Sequence, residues 1–211
     1  MIMKFYDCST APSPRRVRIF AAEKGITLPT VQVDLRNGEQ FSEAFRAINP
    51  DCTVPALQLD DGTVIADAVA ICGYLEELHP DPPLIGTTPQ ERAVVTALNR
   101  QIERDGFFAA MDALRNTAKG LKDRALPGPH NYAQIPELAE RGRARLGHFF
   151  HDIDARLAER QFVAGTRYTI ADISTMVLID LAGRVKITVP EECANLHRWH
   201  AAVLARPSAQ A

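Results

Sequence analysis

One stretch limits the possible folds of this chain more than any other: Thr53-Val54-Pro55-Ala56-Leu57-Gln58-Leu59-Asp60-Asp61-Gly62-Thr63-Val64-Ile65-Ala66-Asp67-Ala68. Ala56 to Leu59 and Thr63 to Ala66 are apolar-rich and read as two strands. Asp61-Gly62 between them is a short hairpin signal, because glycine accepts the positive φ of a type I′ turn. Pro55 fits the first residue of a strand and not its middle, since it has no N–H for the ladder. It leaves the Val54 main chain open to pair with an extended peptide. Asp67, opening the next helix, brings a negative charge to the same place. The stretch therefore predicts strand, hairpin and helix, with a docking edge for a small peptide carrying an amino group.

The 211 residues suit one large or two small domains, and an apolar share of 46% is ample for a packed core. A net charge of −2 gives no general pull toward nucleic acid or an anionic membrane. There is no run of about 18 apolar residues, so no spanning helix is expected. The first residues, Met1 to Asp7, lack the layout of a secretory signal. Cys8, Cys52, Cys72 and Cys193 are scattered and form no CxxC pair. They fit a reduced, cytoplasmic interior, and Cys8 and Cys72 are expected to be small buried hydrophobes.

Residues 2–8 alternate as a strand. Ser13 is expected to cap a helix that has Pro14 in its first turn and closes at Gly25. Val31, Val33 and Leu35 alternate as a second strand. A short helix follows over about 40–48, stopped by Asn49-Pro50, then the hairpin and a third helix over 67–79. The order βαβ, α, ββα predicts a thioredoxin-like α/β domain over residues 1–80. A proline-rich linker spans 81–89. An all-helical domain over 90–211 is expected to form the apolar pocket. Within it, one helix begins after Thr88 and runs through Leu114, residues 118–135 form a loop, and a second long helix covers about 136–159. Thr169 to Asp172 approximates a capping box before a buried helix, and Asn195 is expected to cap the last one.

Several segments together resemble a cytosolic glutathione transferase. They are Ser13-Pro14-Arg15-Arg16-Val17 through Gly25, Asn49-Pro50 through Thr53-Val54-Pro55, Asp67-Ala68-Val69-Ala70-Ile71, and Phe162-Val163-Ala164-Gly165 through Asp172. They occur in the family's order across nearly the whole chain. The first helix and Gly38-Glu39-Gln40 are most similar to the yeast and bacterial Gtt-like branch. The resemblance implies a cis Pro55, with Thr53 and Val54 leading into it and the Val54 main chain pairing with the cysteinyl part of glutathione. It implies Asp67 on the γ-glutamyl ammonium, the Ala68 N–H on the γ-glutamyl carboxylate, and Gln40 toward the glycyl carboxylate. The family usually has Ser where this chain has Ala68. One hydroxyl bond is lost there, worth about 0.5–1.5 kcal/mol, which should weaken binding without abolishing it.

Glutathione, the expected co-substrate, must be ionised to react, and a free thiol has a pKa of about 8.5. Relatives place Tyr, Ser or Cys after the first strand, where this chain has Ala11. Ser13 and Thr10 flank it as hydroxyl donors, and Ser13 reads equally as an ordinary helix cap. Asn116 and Thr117 could hold a water near the sulfur or could simply end a helix. Phe107, Phe108 and Met111 could line an apolar pocket or pack in the core. His148 with His151, and His197 with His200, lack a third ligand, so no metal is expected.

The leading function is conjugation of glutathione to a small hydrophobic electrophile. Glutathione-dependent disulfide or peroxide reduction is the second. A non-catalytic relative that keeps the fold, suggested by Ala11 and Ala68, is the third. Family resemblance implies a homodimer. Nothing in the sequence names the electrophile.

Overall fold

The computed structural model describes residues 3–211, so the first position of the expected 2–8 strand lies outside them. These residues form two compact units. One holds residues up to Pro82 together with Pro127–His130 and Ala211. The other holds Pro83–Leu126 and Asn131–Gln210.

The first unit is built on four strands: β1 (Lys4–Asp7), β2 (Thr30–Gln32), β3 (Ala56–Gln58) and β4 (Val64–Ile65), in the order β2-β1-β3-β4. β1 and β2 are parallel and joined by α1 (Pro12–Glu23). β3 runs antiparallel to both β1 and β4. α2 (Glu43–Arg46) precedes the hairpin, and α3 (Ala68–Leu78) follows it. This is the thioredoxin-like order. Side chains alternate across a strand, so Tyr6 faces one way and packs edge-on to Phe45 of α2 with Val33 and Ala56. Phe5 points the other way and is buried, as are Val17, Ile19 and Phe20 of α1 and Ile71 and Leu75 of α3. Lys24 ends α1 with a fully buried side chain. Its Nζ pairs with Glu76 at 2.6 Å and donates to the carbonyls of His79 and Pro82. One ammonium thus ties the end of α1 to the end of α3.

Two local expectations change. Only Gly62 of the hairpin loop has positive φ, and its N–H bonds to the Leu59 carbonyl at 3.0 Å. A type I′ turn needs positive φ at both central residues, so the turn is a longer one across Leu59–Gly62. The first helix starts two residues early: its cap is Ala11, and Ser13 lies inside the first turn.

The second unit is helical: α4 (Pro89–Ile102), α5 (Phe108–Arg115), α6 (Pro136–Leu157), α7 (Ile170–Arg184) and α8 (Ala194–Leu204). Thr88 caps α4 as expected, accepting from the Glu91 N–H at 3.1 Å. The helix predicted to continue through Leu114 is interrupted by a π-helical turn over Glu103–Phe107. Gly106 lies in this turn, where a Cβ would meet the Leu178 side chain of α7. Asn195 is not the cap of α8. Cys193 occupies that position, and Asp154 of α6 accepts from the Leu196 N–H at 2.8 Å and from the Asn195 amide. α7 is buried nearly throughout and opens on a complete capping box, Thr169 with Asp172. All four cysteines are free and buried.

Candidate functional site

Strand register gathers the predicted residues of the first unit at one end of the sheet. Tyr6 pairs with Ala56 and Leu57 pairs with Ile65. Continuing both ladders one step brings Pro55 opposite Asp7, and two steps beyond the Leu57–Ile65 pair bring it opposite Asp67. α1 begins just after β1 and α3 just after β4, so both helices open at this end.

The Val54–Pro55 peptide is cis. Asn49, only 2% exposed, fixes its approach: Nδ2 donates to the Thr53 carbonyl at 2.9 Å and to Thr53 Oγ1 at 3.2 Å, and Oδ1 accepts from the Asp51 N–H. Asn49 thus does more than stop the preceding helix: it organises the Thr53-Val54 edge. The Val54 N–H and carbonyl have no partner among the described residues.

Asp67 is the N-cap of α3. Its Oδ1 accepts from the Val69 and Ala70 N–H groups at 2.9 and 2.8 Å, and Oδ2 stays open. The Ala68 N–H, at the first position of α3, has no partner among the described residues, and Ala68 is buried. A helix start with open N–H groups favours an anion, and the adjacent free carboxylate oxygen favours a cation. Gln40 sits on the 3₁₀ turn Glu39–Phe41 after β2, with Oε1 buried and unbonded.

At α1 the donors are few. A helix leaves its first four N–H groups without intrahelical partners. Here Pro12 and Pro14 carry none, and the Ala11 N–H is used by the Cys8 carbonyl at 2.8 Å. Ser13 alone remains, half-buried, with neither its N–H nor its hydroxyl bonded among the described residues. Thr10 lies in the preceding turn, exposed, with Oγ1 3.4 Å from Cys8 Sγ.

One end of the sheet therefore offers a free extended main chain, an anion-binding helix start, an open carboxylate oxygen and one further N–H at a second helix start. That set matches a short zwitterionic peptide bearing a group that becomes negative. Residues 10–78 match the family described as the glutathione S-transferase N-terminal domain, and residues 117–207 match its C-terminal domain. Glutathione S-transferase 2 of Saccharomyces cerevisiae is 36% identical over 98% of this chain and 87% of its own length. The chain belongs to the glutathione S-transferase family. Among solved structures, Gtt2 from Saccharomyces cerevisiae superposes with a TM-score of 0.89 at 36% identity, covering 98% of each chain. A glutathione S-transferase domain-containing protein of Marinobacter aquaeolei VT8 gives 0.90 at 38% identity, covering 97% of this chain and 98% of the other. The Gtt-like assignment thus extends over the full length.

In the helical unit of this transferase, Asn116 ends α5 with its amide committed. Nδ2 donates to the Asp112 carbonyl at 3.0 Å, and Oδ1 accepts from the Ile135 N–H at 2.9 Å. The Thr117 hydroxyl donates to the Ala113 carbonyl at 2.6 Å. Both side chains close the helix end, which is the plainer of their two expected roles. Phe107 is buried and Phe108 is 55% exposed. A cleft of about 220 Å³ lies elsewhere in this unit, lined by Gln90, Val94, Val95, Arg167 and Thr169 among others. His151 approaches Cys193 and Glu192, and His197 meets the Pro190 carbonyl. Among the described residues, no three His, Cys, Asp or Glu side chains gather as a metal would require.

Proposed function

We propose that the protein conjugates the glutathione thiol to a small hydrophobic electrophile, with the thiolate held at the start of α1 by the Ser13 N–H. The observation that carries this is the single open main-chain N–H at that helix start. It shares the sheet end with the free Val54 main chain, Asp67 Oδ2 and the Ala68 N–H. The Val54 N–H and carbonyl pair with the cysteinyl residue as a short antiparallel strand. Asp67 Oδ2 takes the γ-glutamyl ammonium, the Ala68 N–H takes the γ-glutamyl carboxylate, and Gln40 takes the glycyl carboxylate.

At neutral pH only a few per cent of a free thiol is ionised. A helix start contributes about 0.3–1 kcal/mol to an adjacent negative charge, and up to about 2 where the site is partly buried. Together with one N–H bond this lowers the thiol pKa by about one to two units. The thiol proton passes to solvent, and the thiolate attacks the electrophilic carbon and expels its leaving group. Ala11 contributes no hydroxyl, so the main chain does the work that a side chain does in other classes.

The test is calorimetric titration with glutathione, followed by rates on a chloronitrobenzene and on a mixed disulfide. Millimolar or tighter binding, with conjugation faster than disulfide reduction, is expected. Faster disulfide reduction would make the protein a reductase. Binding with no turnover on a broad electrophile panel would make it a non-catalytic relative. The exposed apolar side chains of Val94 and Phe108 fit burial in a homodimer, which sedimentation velocity resolves.

A further inference from the structure

Asp7 ends β1 with its carboxylate almost wholly buried. A buried negative charge is adverse at the sheet end where a second anion must form. The structure answers it with a closed ring. Arg18, in the second turn of α1, donates Nη1 to Asp7 Oδ1 at 2.6 Å and Nη2 to the Ser9 carbonyl at 3.1 Å. Gln32, the last residue of β2, donates Nε2 to Asp7 Oδ2 at 2.7 Å, and its Oε1 accepts from the Ser9 N–H at 3.0 Å. Both main-chain groups of Ser9 are thus held by side chains that are themselves anchored on Asp7. Ser9 lies two residues before Ala11, whose bond to the Cys8 carbonyl closes the turn that presents the Ser13 N–H.

We propose that Arg18 is a positioning residue for the glutathione sulfur, fixing the loop before α1 through this ring and cancelling the Asp7 charge where the thiolate forms. The inference rests on the glutathione reading above. The surroundings leave Arg18 as the group that answers Asp7. β2 contributes the neutral Gln32, and β3 contributes Ala56, Leu57 and Gln58, none of them charged. The loop adds the Cys8 thiol, bonded to Thr10. Arg15 and Arg16 lie on the neighbouring turn of α1, and Arg18 is the arginine bonded to the carboxylate. The Arg18 side chain keeps 21% of its surface exposed, so it neutralises the carboxylate without being fully desolvated itself.

The experiment measures the ionisation midpoint of bound glutathione by thiolate absorbance across pH. It compares the wild-type protein, Arg18→Gln, and the double variant Asp7→Asn with Arg18→Gln. Calorimetry confirms saturation, and circular dichroism confirms the fold. Arg18→Gln is expected to raise the midpoint by about one pH unit and to lower kcat at slightly acid pH about tenfold, with KM for glutathione changed less than threefold. Adding Asp7→Asn is expected to bring the midpoint at least halfway back, which a purely structural role for Arg18 would not do. An unmoved midpoint in Arg18→Gln, or a double variant that stays with the single one, overturns the proposal. A wild-type protein that binds no glutathione overturns the underlying reading as well, and that outcome is visible before any variant is made.

Discussion

Replacing Asp172 with alanine strands three buried donors at once. The carboxylate lies at the start of α7, fully buried, and accepts from the Val163 N–H at 2.8 Å, the Thr169 N–H at 2.9 Å, the Thr169 hydroxyl at 3.2 Å and Trp199 Nε1 at 2.9 Å. The hydroxyl can turn elsewhere, but the three N–H groups cannot. Each unsatisfied buried donor costs about 1–3 kcal/mol, offset in part because a carboxylate no longer has to be buried. The net loss is about 4 kcal/mol, which for a chain of this length lowers Tm by about 8–16 °C. Trp199 is the chain's single tryptophan, so its fluorescence reports the broken bond directly while urea or heat reports stability. A loss below about 1 kcal/mol would refute the reasoning. The titration adds a second arm. Burial pushes the Asp172 carboxyl up to about 6, against the opposing pull of its four donors. A value raised above the unfolded one stabilises the fold at low pH, and that contribution is lost as pH rises through the folded value. Between pH 5 and pH 8 the loss is about 1.4 kcal/mol. Asp172→Asn keeps the shape without titrating, so it should cost more at pH 5 than at pH 8 by that amount.

Ser13→Ala keeps the main-chain donor and should change kcat/KM for glutathione conjugation less than threefold, whereas Ser13→Pro removes the N–H and should lower it by at least tenfold. The reverse ranking would assign the thiolate to the hydroxyl. Asp67→Ala removes both the α3 cap and the open oxygen, costing about 1 kcal/mol of stability as well as glutathione affinity. Asp67→Ser keeps a cap and should lose affinity alone, as calorimetry and thermal melts together can show. Lys24→Met removes a buried ammonium together with its bonds to Glu76 and to the His79 and Pro82 carbonyls, and urea unfolding should register a loss of about 3 kcal/mol. A loss within about 0.5 kcal/mol, the range of an ordinary surface change, would mean the ion pair contributes nothing.

The parts of the fold and of the candidate site legible in the sequence are those written locally. Thr88, Thr169 and Asp67 cap helices through N–H groups two or three residues ahead, and spacing rules register such pairs. Pro55 and the hairpin follow from residues that forbid or demand particular φ angles. The misread parts depend on distant partners. Asp154 caps α8 from another helix 42 residues before Leu196, and the break after Ile102 arises where Gly106 passes Leu178. Ser13 illustrates a different limit. Ala11-Pro12 and Ser13-Pro14 both offer a proline in the first turn, and the preference for serine at a cap selects the second. The tight turn from Cys8 to Ala11 decides for the first. The resulting donor is a main-chain group with no side-chain signature, so the proposed sulfur end of the site is less legible in the sequence than the Val54 to Ala68 end.

The two prolines beside Ser13 also determine which anions this helix start can refuse. Phosphate, sulfate and carboxylates present several oxygens and bind where several N–H groups converge. Pro12 and Pro14 remove that convergence, leaving one main-chain donor. A single large, polarisable sulfur needs no more than that. On the proposed reading, such oxyanions are thereby poor competitors for the position that the glutathione thiolate takes.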